Sequence, residues 1–367
     1  MNVLDLARPE VVALKPYSSA RMEARNAQVM LNANESPWLP VGDAGQGLNR
    51  YPEPQPAVLC SRLAEVYGVR DEQILVSRGS DEAMDLLVRV FCRPGQDAIA
   101  ICPPTFGMYA VCAGVQGAGV VSVPLDADFG VDVEALLAAV TPAVKLVFLC
   151  SPNNPTGGVV PLEDIEAVAA ALAERALVIV DEAYVEFADG DSAAALLDDY
   201  PNVLVLRTLS KAWALAGARI GALLAAPGII ALVRRIMPPY PLPTPSVDAA
   251  LATLSDEAMQ TVRERIASIR YQRDCLRKRL RALPQVRAVL PSQANFLTVR
   301  FDDAAAVYGA LLAQGIVVRD VTRYPGLADC LRISVGSAQD NAQLLQVLES
   351  LAEGTAMDDP ASKRERA

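Results

Sequence analysis

The chain has 367 residues, of which 52% are hydrophobic, 21% charged and 5% aromatic; 33 basic side chains face 43 acidic ones, there is no histidine, and the net charge is −10. At about 100–200 residues per domain this is material for roughly two domains with real cores, and it excludes a disordered or low-complexity chain. The acidity excludes a general nucleic-acid or anionic-membrane binder, and the missing histidine excludes Ser-His-Asp and Cys-His catalysis, a His-containing zinc site and a His-ligated haem.

The N-terminus, Met-Asn-Val-Leu-Asp-Leu-Ala-Arg-Pro, lacks the basic start and apolar stretch of a signal peptide, and no run approaches the ~18 apolar residues of a membrane span. The seven cysteines are scattered and odd in number, with no C-x-x-C, so buried free thiols in a reducing cytoplasm are expected.

Short apolar runs then recur at the interval of strand-helix-strand units: Ile74–Ser77, Ala98–Cys102, Val120–Pro124, Leu146–Cys150, Leu177–Val180, Val203–Arg207 and Ile220–Leu224. Their uniform apolarity predicts strands buried on both faces. Helix-like stretches lie between them at Asp81–Phe91, Val133–Val140, Glu163–Glu174 and Ala193–Asp199. The pattern predicts an α/β fold, a large domain with a mostly parallel, helix-covered sheet. The proline-rich stretch Pro238–Pro245 reads as a connector. Beyond it, Val262, Ile266, Ile269, Leu276, Leu280 and Leu283 share one face of a long helix over Asp256–Leu283. Its arginines, among them Arg263, Arg265, Arg270, Arg273 and Arg277, are expected largely on a solvated face. Strand Phe296–Phe301, helix Ala304–Gln314, strands Val317–Val321 and Leu331–Val335 and helix Gln339–Leu351 predict a smaller α+β domain. The expected division is residues 46–240 for the large domain, 1–45 and 241–354 for an N-terminal arm plus the small domain, and a disordered polar tail over 355–367.

Three polar segments follow three of the predicted strands: Ser151-Pro152-Asn153-Asn154-Pro155-Thr156-Gly157, Asp181-Glu182-Ala183-Tyr184, and Thr208-Leu209-Ser210-Lys211. Ligands of doubly wound sheets bind beyond the carboxyl ends of strands, so an amide, a carboxylate, a phenol and an ammonium are expected to converge. Taken singly, Asp181 reads as a helix N-cap, Asn153 and Asn154 as an Asx turn, and Lys211 as a surface lysine. Their coincidence at strand ends favours a site. Val76-Ser77-Arg78-Gly79-Ser80-Asp81-Glu82 passes from a strand through a turn into a helix start, which suits a phosphate and suits ordinary capping equally well. Arg219, eight residues after Lys211, could add a cation there. Pyridoxal 5′-phosphate uses such a set. Its aldehyde needs an amine, its ring nitrogen a buried carboxylate, its phenolate oxygen donors such as Tyr184 and Asn154, and its phosphate a helix N-terminus, hydroxyls and an arginine.

From Tyr17 to Gly336 the sequence resembles the fold-type I pyridoxal-phosphate aminotransferases. Leu31–Glu35, Asn49-Arg50-Tyr51-Pro52, Cys102–Tyr109, Arg207–Ala212, Pro239-Tyr240-Pro241-Leu242 and Leu331–Gly336 resemble the histidinol-phosphate aminotransferases among them. The resemblance implies that Lys211 carries the cofactor as a Schiff base and moves the substrate proton. It implies that Asp181 pairs with the ring nitrogen and that Tyr184 and Asn154 bind the phenolate oxygen. Gly79, Ser80, Asp81 (through its backbone N–H), Thr208, Ser210 and Arg219 then hold the phosphate. Phe106 stacks on the ring, where many members have tyrosine. Tyr51 reaches the phosphate of a partner subunit in a homodimer, and Tyr17, Asn34, Asn154, Arg319 and Arg332 bind substrate. No metal and no nucleic-acid or membrane partner is implied. The implied reaction is reversible amino transfer between L-histidinol phosphate and 2-oxoglutarate in histidine biosynthesis. Alternatives on the same scaffold are an aromatic aminotransferase or a threonine-phosphate decarboxylase. A non-catalytic ligand-sensing domain is disfavoured by the intact Lys211 and the lack of a basic DNA-binding module.

Overall fold

In a strand, consecutive side chains point to opposite faces, so an unbroken apolar run needs a core on each side. The computed structural model, which describes residues 3–15 and 29–358 and side chains as far as residue 351, builds both cores. Seven strands, β1 (Ile74–Ser77), β2 (Ala98–Ile101), β3 (Gly119–Ser122), β4 (Val144–Cys150), β5 (Leu177–Asp181), β6 (Val203–Thr208) and β7 (Gly221–Leu224), form one sheet in the order β1-β7-β6-β5-β4-β2-β3. Strands β2 to β6 pair in parallel, and β7 runs antiparallel to both β6 and β1. One face packs Val147, Val178, Val180, Val203 and Val205 against Leu59, Leu63 and Phe187. The other packs Leu146, Phe148, Leu177, Ile179, Leu204 and Leu206 against Met84, Leu87 and Phe91. The α/β reading holds, with two local differences. The edge strand β3 is largely exposed, since nothing pairs beyond it, and the expected helix Ala193–Asp199 shortens to a 3-10 turn over Ala193–Leu196.

The second sheet is fully antiparallel, in the order β10-β11-β9-β8, with β8 (Val286–Val289), β9 (Phe296–Phe301), β10 (Arg319–Asp320) and β11 (Cys330–Ser334). Strand β8 is an addition to the sequence reading. Its four residues are too short and too exposed to stand out as an apolar run. The helices Ala304–Ala313 and Ala338–Asp358 contribute to its core, the latter reaching into the segment expected to be a disordered tail.

The packing does not divide where the proline stretch suggested. Leu242, Val247, Ala250, Leu254 and Val262 join the core of the large sheet, and the small core begins at Leu276 on the same long helix, Asp256–Arg281. The prolines supply a bend, and Pro245 then starts a new helix, Thr244–Thr253, that returns to the large core. The N-terminal residues Val3, Leu6, Ala7 and Val11 also pack on the large sheet rather than with the small one. Arg273 departs from the expected solvated face: it is buried and donates to Phe187 O and Ala294 O at 3.2 and 3.1 Å. Both carbonyls belong to residues of the large core, so Arg273 is drawn toward that core just before the helix passes to the small one at Leu276. Among the described residues, no helix is long and apolar enough to cross a membrane.

Glycine is demanded where β7 passes the first strand-to-helix turn. A Cβ on Gly221 would lie 2.5 Å from both Gly79 C and Ser80 N. By contrast, a Cβ on Gly114, inside the Met108–Gln116 helix, would meet nothing within 4 Å. Gly221→Ala should therefore cost about 2–4 kcal/mol by displacing backbone. Gly114→Ala should be neutral or stabilising by up to about 1 kcal/mol. Urea denaturation of the two variants checks the contrast, and equal effects would contradict it.

Candidate active site

Strands β4, β5 and β6 end side by side, with Cys150 opposite Asp181 and Asp181 opposite Leu206. The segments that follow therefore lie together at one edge of the sheet. Asp181 is 2% exposed at the end of β5. Its carboxylate accepts the Tyr109 hydroxyl at 2.7 Å and the Ala183 N–H at 3.2 Å. Among the described residues no lysine or arginine forms an ion pair with it. Burial pushes its carboxyl up to about 6, against the opposing pull of the Tyr109 and Ala183 donors. A buried acid without a cation is costly unless some cationic group is to be received there.

Tyr109 was not singled out by the sequence. It is fully buried, stacks on Phe148 at 4.7 Å between centroids, and meets Phe106 edge-on at 5.7 Å. The one available signal was a phenol in an otherwise apolar helix, which needs a partner when buried. That partner lies 72 residues along the chain. Phe106 itself is half-buried beside this pair.

Asn154 follows β4 and Tyr184 follows β5, and both are buried. Asn154 Nδ2 donates to Tyr184 Oη at 3.3 Å, while its Oδ1 accepts from Arg332 Nη1 on β11. Phe296 joins the same group, edge-on to Tyr184 at 5.3 Å and beneath the Arg332 guanidinium at 5.2 Å. Lys211 is exposed, and its Nζ stands 5.7 Å from the Tyr184 ring centroid. The protein walls around its stem and then the Arg332 cation hold its ammonium below the usual lysine range.

A second polar group surrounds the N-terminus of the Ser80–Phe91 helix. Arg219 Nη1 donates to Ser210 Oγ at 3.2 Å, and its Nη2 pairs with Asp81 Oδ2 at 3.3 Å. Thr208 Oγ1 donates to Ser210 Oγ at 3.0 Å. Gly79 is in the left-handed region, with φ +78°, and a Cβ there would lie 2.6 Å from Arg219 Nη2. Arg219 is itself left-handed at φ +56°, which the sequence did not signal. Gly79, Ser80, Asp81, Thr208, Ser210 and Arg219 are thus brought together.

Three expected residues make none of these contacts, and a fourth is not among the described residues. Tyr51 is 46% exposed and stacks on Tyr240 with centroids 4.3 Å apart. Asn34 is exposed, with a left-handed φ of +54°. Arg319 is exposed on β10, directly opposite Arg332 in the sheet register. Tyr17 lies outside the described residues.

The assembled chemistry is a lysine amine, an uncompensated buried acid, two neutral donors and an anion cradle at a helix N-terminus. A pyridine-type ring bearing an aldehyde, a hydroxyl and a phosphate matches all four, so the residues fit pyridoxal phosphate.

Comparison with known proteins agrees with this chemistry. The chain is 51% identical over 359 residues to histidinol-phosphate aminotransferase of Xanthomonas axonopodis pv. citri, covering 97% of this chain and 99% of that one. It is 50% identical over 353 residues to the enzyme of the same name from Stenotrophomonas maltophilia, covering 95% and 97%. The crystal structure of histidinol-phosphate aminotransferase from Sinorhizobium meliloti in complex with pyridoxal-5′-phosphate superposes with a TM-score of 0.76 at 29% identity, covering 93% of this chain and 97% of that one. The family described as aminotransferase class I and II matches residues 22–351. The chain belongs to that family.

Proposed function

We propose that the chain is a pyridoxal-phosphate-dependent transaminase that moves an amino group reversibly between L-histidinol phosphate and 2-oxoglutarate, giving imidazole acetol phosphate and L-glutamate. The buried, cation-free Asp181 at the strand end beside Lys211 carries the cofactor assignment. Half identity along nearly the full length to enzymes named for this reaction carries the substrate.

Asp181 would face the ring nitrogen, with Tyr109 fixing the orientation of the acid. Phe106 would lie against the ring, Asn154 and Tyr184 would hold the phenolate oxygen, and Gly79, Ser80, Asp81, Thr208, Ser210 and Arg219 would hold the phosphate. When bound, the cofactor supplies an electron sink for negative charge at the substrate carbon. Lys211 takes the proton from that carbon and returns it. The lowered affinity of Lys211 for its proton leaves more neutral amine near pH 7 to act as base.

Arg332 and Arg319 bind the substrate anions. Like charges opposite one another on adjacent strands repel unless an anion sits between them. Their register therefore suits the phosphate of one substrate and a carboxylate of the other. Tyr17 and Asn34 join them on family resemblance alone.

A homodimer completes the reading. Leu31, Trp38, Leu39 and Val41 are 90%, 78%, 55% and 108% exposed within one short segment, an apolar patch that calls for cover. A second copy covering it would bring Tyr51 toward the partner's phosphate. All seven cysteines are free and six are buried, in keeping with a cytoplasmic setting.

Lys211→Ala should abolish turnover and the visible band of the bound cofactor. Borohydride trapping followed by peptide mapping should label Lys211 in the parent protein, and label on another lysine would overturn the assignment. Arg332→Ala should lower kcat/KM for histidinol phosphate by the equivalent of roughly 2–5 kcal/mol. Single-turnover rates should favour histidinol phosphate over phenylalanine and threonine phosphate, and faster reaction with either of those would replace the substrate.

Asp181 also has a pH signature in cofactor-free protein. Its carboxyl is raised from 3.8 to about 6, so between those values the folded state binds more protons than the unfolded one. The stability this contributes is present below pH about 4 and lost as pH rises through about 6. Wild type should lose about 2–3 kcal/mol over that window relative to Asp181→Asn. Urea denaturation at both ends of the window measures it, and parallel profiles would contradict the burial argument.

A further inference from the structure

Asp181 and Glu182 are neighbours in sequence and point to opposite faces of the sheet. Asp181 meets Tyr109, in the core with Phe148 and Leu206, while Glu182 turns toward the core that holds Tyr67, Val178 and Val205. There two buried charged side chains, Glu182 and Arg207, meet the partly buried Glu186. Glu182, 3% exposed, accepts from Ser192 Oγ at 2.5 Å, Ala193 N at 2.7 Å and Arg207 Nη1 at 3.3 Å. Arg207 Nη2 donates to Glu186 Oε1 at 2.8 Å, and the same oxygen accepts from Trp213 Nε1 at 3.2 Å. The guanidinium also lies 4.4 Å over the Tyr67 ring.

This group joins two of the three strand-end segments of the site, those after β5 and β6. Glu182 and Glu186 bracket Tyr184, Arg207 immediately precedes Thr208, and Trp213 is two residues beyond Lys211. Its charge is unequal, with two carboxylates for one guanidinium, so one net negative charge stays buried behind the catalytic face. Burial raises the Glu182 carboxyl while Arg207 opposes that rise. For Arg207 itself burial works against the charge, and Glu186 and Glu182 outweigh it.

We propose that Arg207 is a positioning residue that offsets Glu182 and Glu186 through the sheet, and so sets the electrostatic potential at the lysine-linked cofactor while holding the 181–186 and 208–213 segments together. The proposal rests on the reading that Lys211 and Asp181 hold pyridoxal phosphate. The protein groups that face Lys211, namely Asp181, Tyr184, Arg332, Asp81 and Arg219, remain unchanged in every variant below, as do Tyr67, Ser192 and Trp213 around the cluster.

The experiment is a pH titration of the visible absorbance of protein reconstituted with pyridoxal phosphate, together with the dissociation constant for the cofactor. Added negative charge favours the protonated, cationic form of the lysine linkage. Arg207→Gln takes the cluster from one net negative charge to two, and its midpoint should rise by roughly half a pH unit. Glu182→Gln takes the cluster to zero, and its midpoint should fall by a similar amount. Glu182→Gln/Arg207→Gln restores one net negative charge, and its midpoint should return close to wild type with cofactor affinity better than in Arg207→Gln alone. General loosening of the site would shift both single variants the same way. Shifts of one sign, or none, in variants whose wild type shows the band overturn the proposal. If Arg207→Gln does not fold, Glu182→Gln decides alone: a lowered midpoint supports the proposal, and an unchanged or raised one overturns it. A wild-type protein that shows no visible band overturns the cofactor reading as well.

Discussion

A carboxylate that forms no ion pair among the described residues, shut inside the protein at the end of a central strand, is the constraint on which the rest of the site turns. Burial alone favours the neutral acid at Asp181, as its raised carboxyl shows. The surroundings resist neutralisation through two fixed donors, Tyr109 Oη and Ala183 N. The result is an acceptor poised for a positively charged partner from outside the chain. Such a group carries a cost in the folded state that a hydrophobic residue would avoid, and binding recovers it.

The sheet topology turns that single residue into a site. Parallel strands all finish at the same edge, so the loops after β4, β5 and β6 are adjacent without any special arrangement. The antiparallel β7 then returns beside β6 and carries Gly221 against the Gly79–Ser80 turn, which brings the helix N-terminus up to Arg219 and Thr208. The four-stranded sheet supplies Arg332 from β11, and the contact with Asn154 joins the two sheets at the site.

The strands and their polar ends were legible because uniform apolar runs and the polar residues after them are local signals. What was not legible depends on distance along the chain. Tyr109 needs Asp181 to acquire meaning, and Arg207 needs Glu182 and Glu186. Arg273 looked like one more member of a charged helix face. Its burial follows from carbonyls of two other segments that happen to end beneath it. The proline stretch was a true chain feature read at the wrong level: it marks a bend, while the change from one core to the other occurs along a continuous helix, between Val262 and Leu276. Strand β8 needed its neighbour β9 to be recognised at all.

Phe296 belongs at once to the core of the large sheet, to the edge of the Tyr184 ring and to the underside of the Arg332 guanidinium. One aromatic surface therefore braces both the Tyr184 phenol and the Arg332 guanidinium. An enzyme that alternates two amino donors through a single pocket cannot retune this position for one of them in isolation. Adaptation to a new donor is channelled instead toward the exposed rim, where Arg319 can vary without disturbing the shared brace.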